Sequence, residues 1–393
     1  MQPDYVLDPR GKVILVVHKP NAPFAAWFPP VLCSTSSDPA TSDPTRTNHE
    51  NSTERDVGNN DSWGNGSTND EESPALESET EKDAEGDGNT QTTEVQTQQS
   101  EKDADEAAPD VQIQVSERHL TLVSPVFEKM LWGDFKEAKE YKEKGSVVID
   151  VGSWDVDALL IVLNILHCQR LGIPKKVTVE QMAQIAVIAD YYSCDFVRFF
   201  GSLWAPCLPK KPCTSDPREL MLGLWIAYFF RHSLTFTNYS RAIMEYSESI
   251  ISSLGLPLPV TVIDAMNDKR IEAISRAVSE MYEQRDCLLS DTIPITQNCD
   301  SECRSVLLGA FMRHMYKHQF HVQAPEAPYV GIQLARAREV RNFQARLWMR
   351  RCEREEESSS DLFEYHDCNE DNAFRARFEA SSPSGLDLAE YTN

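Results

Sequence analysis

A polar, acidic stretch from Ser34 to Asp110 divides this chain, and any fold proposed for it must accommodate the interruption. The stretch holds 21 Asp/Glu against 4 Lys/Arg, a net of −17 out of the −24 carried by all 393 residues. Runs such as "NDEESPALESETEKDAEGDGNTQTTEVQTQQ" cannot bury enough apolar area to offset their ordering entropy, so residues 34–110 are expected to be disordered. One role for them is a self-repelling, solubilising insertion. The sharper alternative is a phosphorylatable tract or an acidic lure for a basic partner. The other 316 residues carry only −7, ordinary for a globular chain. Such an acidic balance argues against general nucleic-acid binding, which needs clustered Lys/Arg.

On either side lie two strand-like runs. "KVILVVH" (Lys12 to His18) is β-branched, and "VQIQV" (Val111 to Val115) alternates apolar and polar residues. If the two pair, the acidic tract becomes a very long hairpin loop. Closure entropy grows only logarithmically with loop length, so a folded domain tolerates it.

"VSERHLTLVSPVFEKMLW" follows, with Pro125 in the middle of an apparent helix. Ser116 can cap a first short helix and Ser124 a second, with Pro125 at the first helical position, where a missing N–H costs nothing. "GSVVIDV" (Gly145 to Val151) predicts a strand, and Asp155 or Ser153 can start the apolar helix "VDALLIVLNILHC". Thr178 with Gln181 three residues on opens another helix, and "CDFVRFFGSLW" predicts one that ends near Trp204, before "PCLPKKPC".

Beyond this linker the pattern is all helical. Asp216, Pro217 and Glu219 mark a strong start for "LMLGLWIAYFF"; "TNYSRAIMEYSESIISSLG" predicts a helix stopped at Gly255 by "LPLP". Two further helices are expected over "VIDAMNDKRIEAISRAVSEMYEQRDCLL" and "SECRSVLLGAFMRHMYKHQF". "LARAREVRNFQARLWMRRCEREEE" reads as a basic amphipathic helix that could pair with the acidic tract, bind an acidic partner or lie on a membrane, or simply be a solvated face.

The apolar run at the N-terminus spans only Val13 to Val17, too short for a signal peptide, and Leu220 to Phe230 covers about half a bilayer. No membrane span is expected. The ten cysteines therefore read as reduced thiols, the sequons at Asn65 and Asn238 as accidental, and the location as cytoplasmic or nuclear. No Gly-rich phosphate loop, Gly-x-Ser-x-Gly elbow or His-Glu-x-x-His is present, and the dispersed His119, His167 and His232 read as core or surface residues. No enzymatic activity is expected.

The order strand, insertion, strand, two short helices joined at Ser-Pro, strand, then three helices resembles a BTB/POZ domain. "VSERHLTLVSPVFEKML" is similar to the family's Ser-x-x-Phe-x-x-Met stretch, "VVIDVGSWDVDALLIVLNILH" to its strand and Leu-Leu helix, and "VTVEQMAQIAVIADYYSC" to its A-x-x-Y helix, with Ala189 and Tyr192 in place. "VILVV" and "IADYYSC" look most like fungal members. Ser116 stands where many animal members have His, and the chain begins almost at its first core strand, without the element those members exchange between subunits. The resemblance implies an α+β fold. A BTB/POZ domain over 11–33 and 111–205 is interrupted by the disordered acidic insertion 34–110 and followed by an all-α helical domain over 216–320. A segment that is helical, then partly disordered, covers 321–393. The helices after residue 215 occupy the place of a BACK-like region, by position and not by motif.

The resemblance also implies a protein–protein interaction module, a scaffold or adaptor. Some members bind the cullin scaffold of ubiquitin ligases through an apolar residue, any residue, then Glu; "DFKEAKE" offers Phe135 and Glu137 there. A partly exposed aromatic beside a carboxylate suits a docking anchor with a steering charge; the alternative is a plain surface loop with a half-buried Phe135. A nuclear regulator without its own DNA-binding element is a further option, and an enzyme with an unrecognised site among residues 216–320 is another. No cofactor is expected apart from a structural zinc. Cys299-x3-Cys303 and His314-x3-His318 imitate a zinc finger, but on one helix Cys303 and His314 stand about 16 Å apart along the axis. A better set is Cys299, Cys303, His366 and Cys368, thiolates and an imidazole that could pin the tail. Four unrelated side chains remain the alternative.

Overall fold

A computed structural model describes residues 2–26, 109–209, 212–290, 301–343, 348–351, 363–366 and 383–392. The insertion 34–110 lies outside them except for its last two residues. What they form is mixed α+β and mostly helical, around a small four-stranded sheet.

The two runs flanking the acidic tract do pair. Strand β1 (Tyr5–Val6) is followed by β2 (Val13–Val17), and β3 (Val111–Val115) lies antiparallel to β2 with Val13 opposite Val115, Leu15 opposite Ile113 and Val17 opposite Val111. This register puts Val13, Leu15, Val17, Ile113 and Val115 on one buried face. A slip of one residue would turn that set to the other side, so burial itself specifies the pairing. Strand β1, which the sequence did not signal, runs parallel to β3 at the sheet edge, so the chain adds a strand before its first core strand.

Helix α1 (Glu117–Val123) and α2 (Pro125–Trp132) divide at Ser124, whose hydroxyl accepts the Phe127 amide while Pro125 starts the second helix. Ser116 occupies the N-cap of α1 without a side-chain bond. Helix α3 (Lys136–Lys144) leads into β4 (Val147–Asp150), which is parallel to β2 and completes the order β1-β3-β2-β4. Helix α4 (Val156–Leu166) is capped by Asp155 and buried on most sides, and α5 (Val179–Tyr191) is capped by Thr178. Residues 195–200 are a 3-10 helix rather than the expected α-helix, and only α6 (Gly201–Trp204) is α-helical there.

Helix α7 (Pro217–Phe229) starts on Asp216 as read, and α8 is Ser233–Tyr246. Gly223 lets these two helices meet closely, because a Cβ there would overlap the Tyr239 ring. The helix predicted to run to Gly255 stops at Tyr246 for a tertiary reason. Beyond it, the Ser247 carbonyl accepts from Arg270, and the Asn267 amide bonds both the N–H and C=O of Ile251. These partners, with short Ser side chains that compete for the backbone, replace the helical ladder.

Helix α9 (Val260–Leu289) is long, and α10 (Ser301–Lys317) runs unbroken through Gly309. The Arg-rich segment is not one helix. It gives α11 (Leu334–Glu339), a 3-10 turn over Val340–Asn342, then β5 (Trp348–Arg351) paired antiparallel with β6 (Phe363–His366). Burial of Val340 and Phe343 in a local core and the β5–β6 ladder outweigh the helical propensity of the arginines.

One apolar core runs without interruption from β2 through α4, α5, α7 and α8 to the first turns of α9. A second core joins the rest of α9 to α10 and α11, and the break between them falls inside α9, between Met266 and Ile274. Arg218 ties the sheet half to the helices. Its guanidinium grips Glu180 in a two-pronged pair at 2.6 Å and donates to the carbonyls of Phe24 and Ala25.

Candidate protein-docking surface

The resemblance directs attention to the turn between α2 and α3, whose framework is held by buried contacts. Ser124 Oγ donates to the Tyr192 carbonyl at 2.6 Å while accepting the Phe127 amide, and the Phe127 and Tyr192 rings stack at 4.5 Å. Helix α2 is therefore fixed to the end of α5. Behind it, the backbone N–H of Ser116 donates to His167 Nε2 at 3.0 Å, and His167 Nδ1 lies 2.8 Å from the Leu163 carbonyl. These two partners assign the proton to Nδ1. Burial depresses the His167 pKa, with the His119 ring stacked at 5.0 Å adding to the effect, while Leu163 O and Asp8 oppose it. His167 has a structural task.

On α2, Phe127 and Leu131 face the core at helical spacing and Trp132 falls off that face. Trp132 is 49 % exposed and rests edge-on against Tyr141 of α3, with ring centroids 5.6 Å apart. Tyr141 is buried, and its hydroxyl pKa is raised by that burial and then by Glu117. Three residues on, Phe135 is 56 % exposed at the N-cap of α3, and Glu137 occupies the first turn, half-buried. Two aromatic faces and a carboxylate thus flank a turn held by buried contacts on both sides. Such a site can anchor a partner by desolvating its rings, with little ordering cost on this side. Trp132 was missed in the sequence because a single aromatic at a helix end has no periodic signature. Its offset from Phe127 and Leu131 was the available signal.

Of the set Cys299, Cys303, His366 and Cys368, the described residues hold only Cys303 and His366. Cys303 lies on α10, buried in the second core beside Leu307 and Phe311, and His366 stands at the end of β6, opposite Trp348. Cys299 and Cys368 lie outside the described residues. Among the described residues no group of three or more His, Cys, Asp and Glu side chains could hold a metal ion. The unbroken α10 keeps Cys303 and His314 far apart, as the finger argument required. In the Arg-rich segment Arg338 pairs with Glu245 at 2.5 Å, and Arg336 pairs with Glu248 at 3.5 Å and bonds the Gln319 side chain. Those two charges find partners on and just after α8. No helix among the described residues is long and apolar enough to cross a membrane.

Compared with known proteins, the chain matches no family model, no curated protein and no solved structure.

Proposed function

We propose that this chain is a non-enzymatic protein–protein interaction module, a scaffold or adaptor built on a BTB/POZ-like arrangement. The reading is supported by the central ribbon order β3-β2-β4, with β2 parallel to β4, and by the Ser-Pro helix pair locked to the A-x-x-Y helix through Ser124 and Tyr192. The observation that carries it is the exposed Trp132–Phe135 pair on a turn fixed by buried contacts. Two exposed aromatic residues on such a turn have the composition of an interface hot spot, and their exposure serves no purpose in the core.

A cullin contact is the second reading, favoured by Phe135 standing exposed with Glu137 two residues on in the first turn of α3. A purified cullin N-terminal region titrated against the intact chain and a Phe135→Ala, Glu137→Ala chain separates the two. Saturable binding lost in the double variant supports the cullin adaptor. No binding by either chain leaves the general scaffold, whose own test is loss of specific co-purifying partners on Trp132→Ala, Phe135→Ala. Unchanged partners in that variant would refute it.

A further inference from the structure

The last described segment, Pro383–Thr392, is seated on α7 and α8 in the manner of a bound peptide. Leu386 and Leu388 are 0 % and 3 % exposed and join the main core, whereas Asp387, Ala389 and Glu390 between and after them are exposed. The backbone is held by side chains of the helices. Thr237 Oγ1 donates to the Leu386 carbonyl at 2.9 Å, and the Leu386 N–H donates to Ser240 Oγ at 2.9 Å. One residue of the segment therefore has both its backbone groups clamped by two hydroxyls a turn apart on α8. Ser240 is fully buried and donates its own O–H to the Thr237 carbonyl, which leaves a lone pair to accept from the segment. Further on, Tyr228 Oη donates to the Tyr391 carbonyl, and the Tyr391 ring lies against Phe236.

Selectivity is built in as well. At Gly385 a Cβ would overlap the Thr237 carbonyl, so no larger residue fits. The Asp387 carboxylate accepts the Ala389 amide, a turn local to the segment itself, and Tyr391 follows it against Phe236. The pattern is glycine, leucine, any residue, leucine, two exposed residues, then tyrosine. Buried anchors at alternate positions, with side-chain clamps on the backbone of the first of them, are how a groove can read a short linear peptide.

We propose that this face of α7 and α8 is a peptide-recognition site for the pattern Gly-Leu-x-Leu-x-x-Tyr, and that the chain's own C-terminal segment is its occupant. The proposal is independent of the BTB/POZ reading. A tethered occupant acts at a high effective concentration, so the intact chain resists an added peptide of the same sequence.

The test uses the full-length chain carrying Gly385→Val and Leu386→Asp, which expels the segment by steric overlap and by a charge. A fluorescent peptide of residues 383–392 is titrated against it and against the unaltered chain, with fold checked by circular dichroism. Saturable binding to the variant, at least tenfold weaker to the unaltered chain, is expected. A peptide with Gly385→Val should fail to compete, and Ser240→Ala in the expelled chain should weaken binding at least fivefold. Equal binding by both chains, or no binding by a folded variant, overturns the proposal. Loss of cooperative helical structure in the variant overturns it equally, since the segment is then a part of the core and not an occupant.

Discussion

Ser124 Oγ lies 2.6 Å from the carbonyl oxygen of Tyr192, 68 residues away in the chain, and caps α2 through the Phe127 amide with the same atom. One hydroxyl thus starts the second helix of the pair and fastens it to the end of α5. Ser124→Ala removes the cap and a buried hydrogen bond together, so a loss of roughly 1–3 kcal/mol is expected. Urea unfolding measures it. A loss below about 0.5 kcal/mol would mean that water replaces the hydroxyl, because exposed substitutions fall in that range.

Arg270 is the one fully buried cation among the described residues, and it faces carbonyls rather than a carboxylate. Its guanidinium donates to Ser247, Pro328, Tyr329 and Ile332, gathering the end of α8 and the 328–332 loop onto α9. Burial lowers its pKa, but an arginine starts so high that it stays charged. Arg270→Met fills the volume and leaves those acceptors without their donor. Destabilisation of about 3 kcal/mol or more follows, with faster hydrogen exchange around residues 328–332 than elsewhere. Uniform exchange would argue against the hub.

The acid limb of stability should bear the mark of His167. Its folded pKa lies below the ordinary 6.5, chiefly through burial. Well above pH 6.5 neither state carries the proton, and its contribution is complete. As pH falls below 6.5 the unfolded chain takes up a proton that the folded chain refuses, so stability declines towards the folded pKa. His232 and His318 are depressed for the same first reason and add the same sign. In thermal melts between pH 7.5 and 5.5, the stability gap between the unaltered chain and His167→Gln should narrow as pH falls. A constant gap would mean that the folded imidazole titrates normally.

Trp132 and Phe135 allow binding to be separated from folding. Both are about half exposed, so Phe135→Ala should change stability by less than about 0.5 kcal/mol, and Trp132→Ala by about 1 kcal/mol for its edge-on contact with Tyr141. Partner affinity should fall at least tenfold in each. Retained affinity with retained fold would remove this turn from the interface.

The strand pairing also predicts the outcome of shortening the chain. Val17 sits opposite Val111, so the ends of the intervening segment are already adjacent. Replacing residues 31–105 with a few Gly/Ser residues should raise stability by about 1 kcal/mol, the logarithmic saving in closure entropy. A loss of several kcal/mol would show that the segment contributes packing of its own.

What could be read from the sequence was whatever short-range physics decides. Ser124 with Pro125, Asp155, Thr178 and Asp216 cap helices through bonds spanning two or three residues, so their identities suffice. The period of two in Val111–Val115 and the β-branched run Val13–Val17 likewise specify a buried face, and pairing followed. Phe135 and Glu137 were singled out only by the resemblance, and their exposure came from the fold.

Long-range competition decided the rest. The end of α8 depends on Arg270 and Asn267, which claim carbonyls and amides that helical propensity would have used internally. The Arg-rich stretch splits because Val340 and Phe343 gain more by burial than a continuous helix would return. Trp132, His167 and the Ser240–Leu386 clamp acquire meaning only from partners 9, 51 and 146 residues away. Local sequence determines which backbone states are cheap. Only the folded chain determines which buried groups must find each other, because an unmet polar group in the core costs more than a local preference gains.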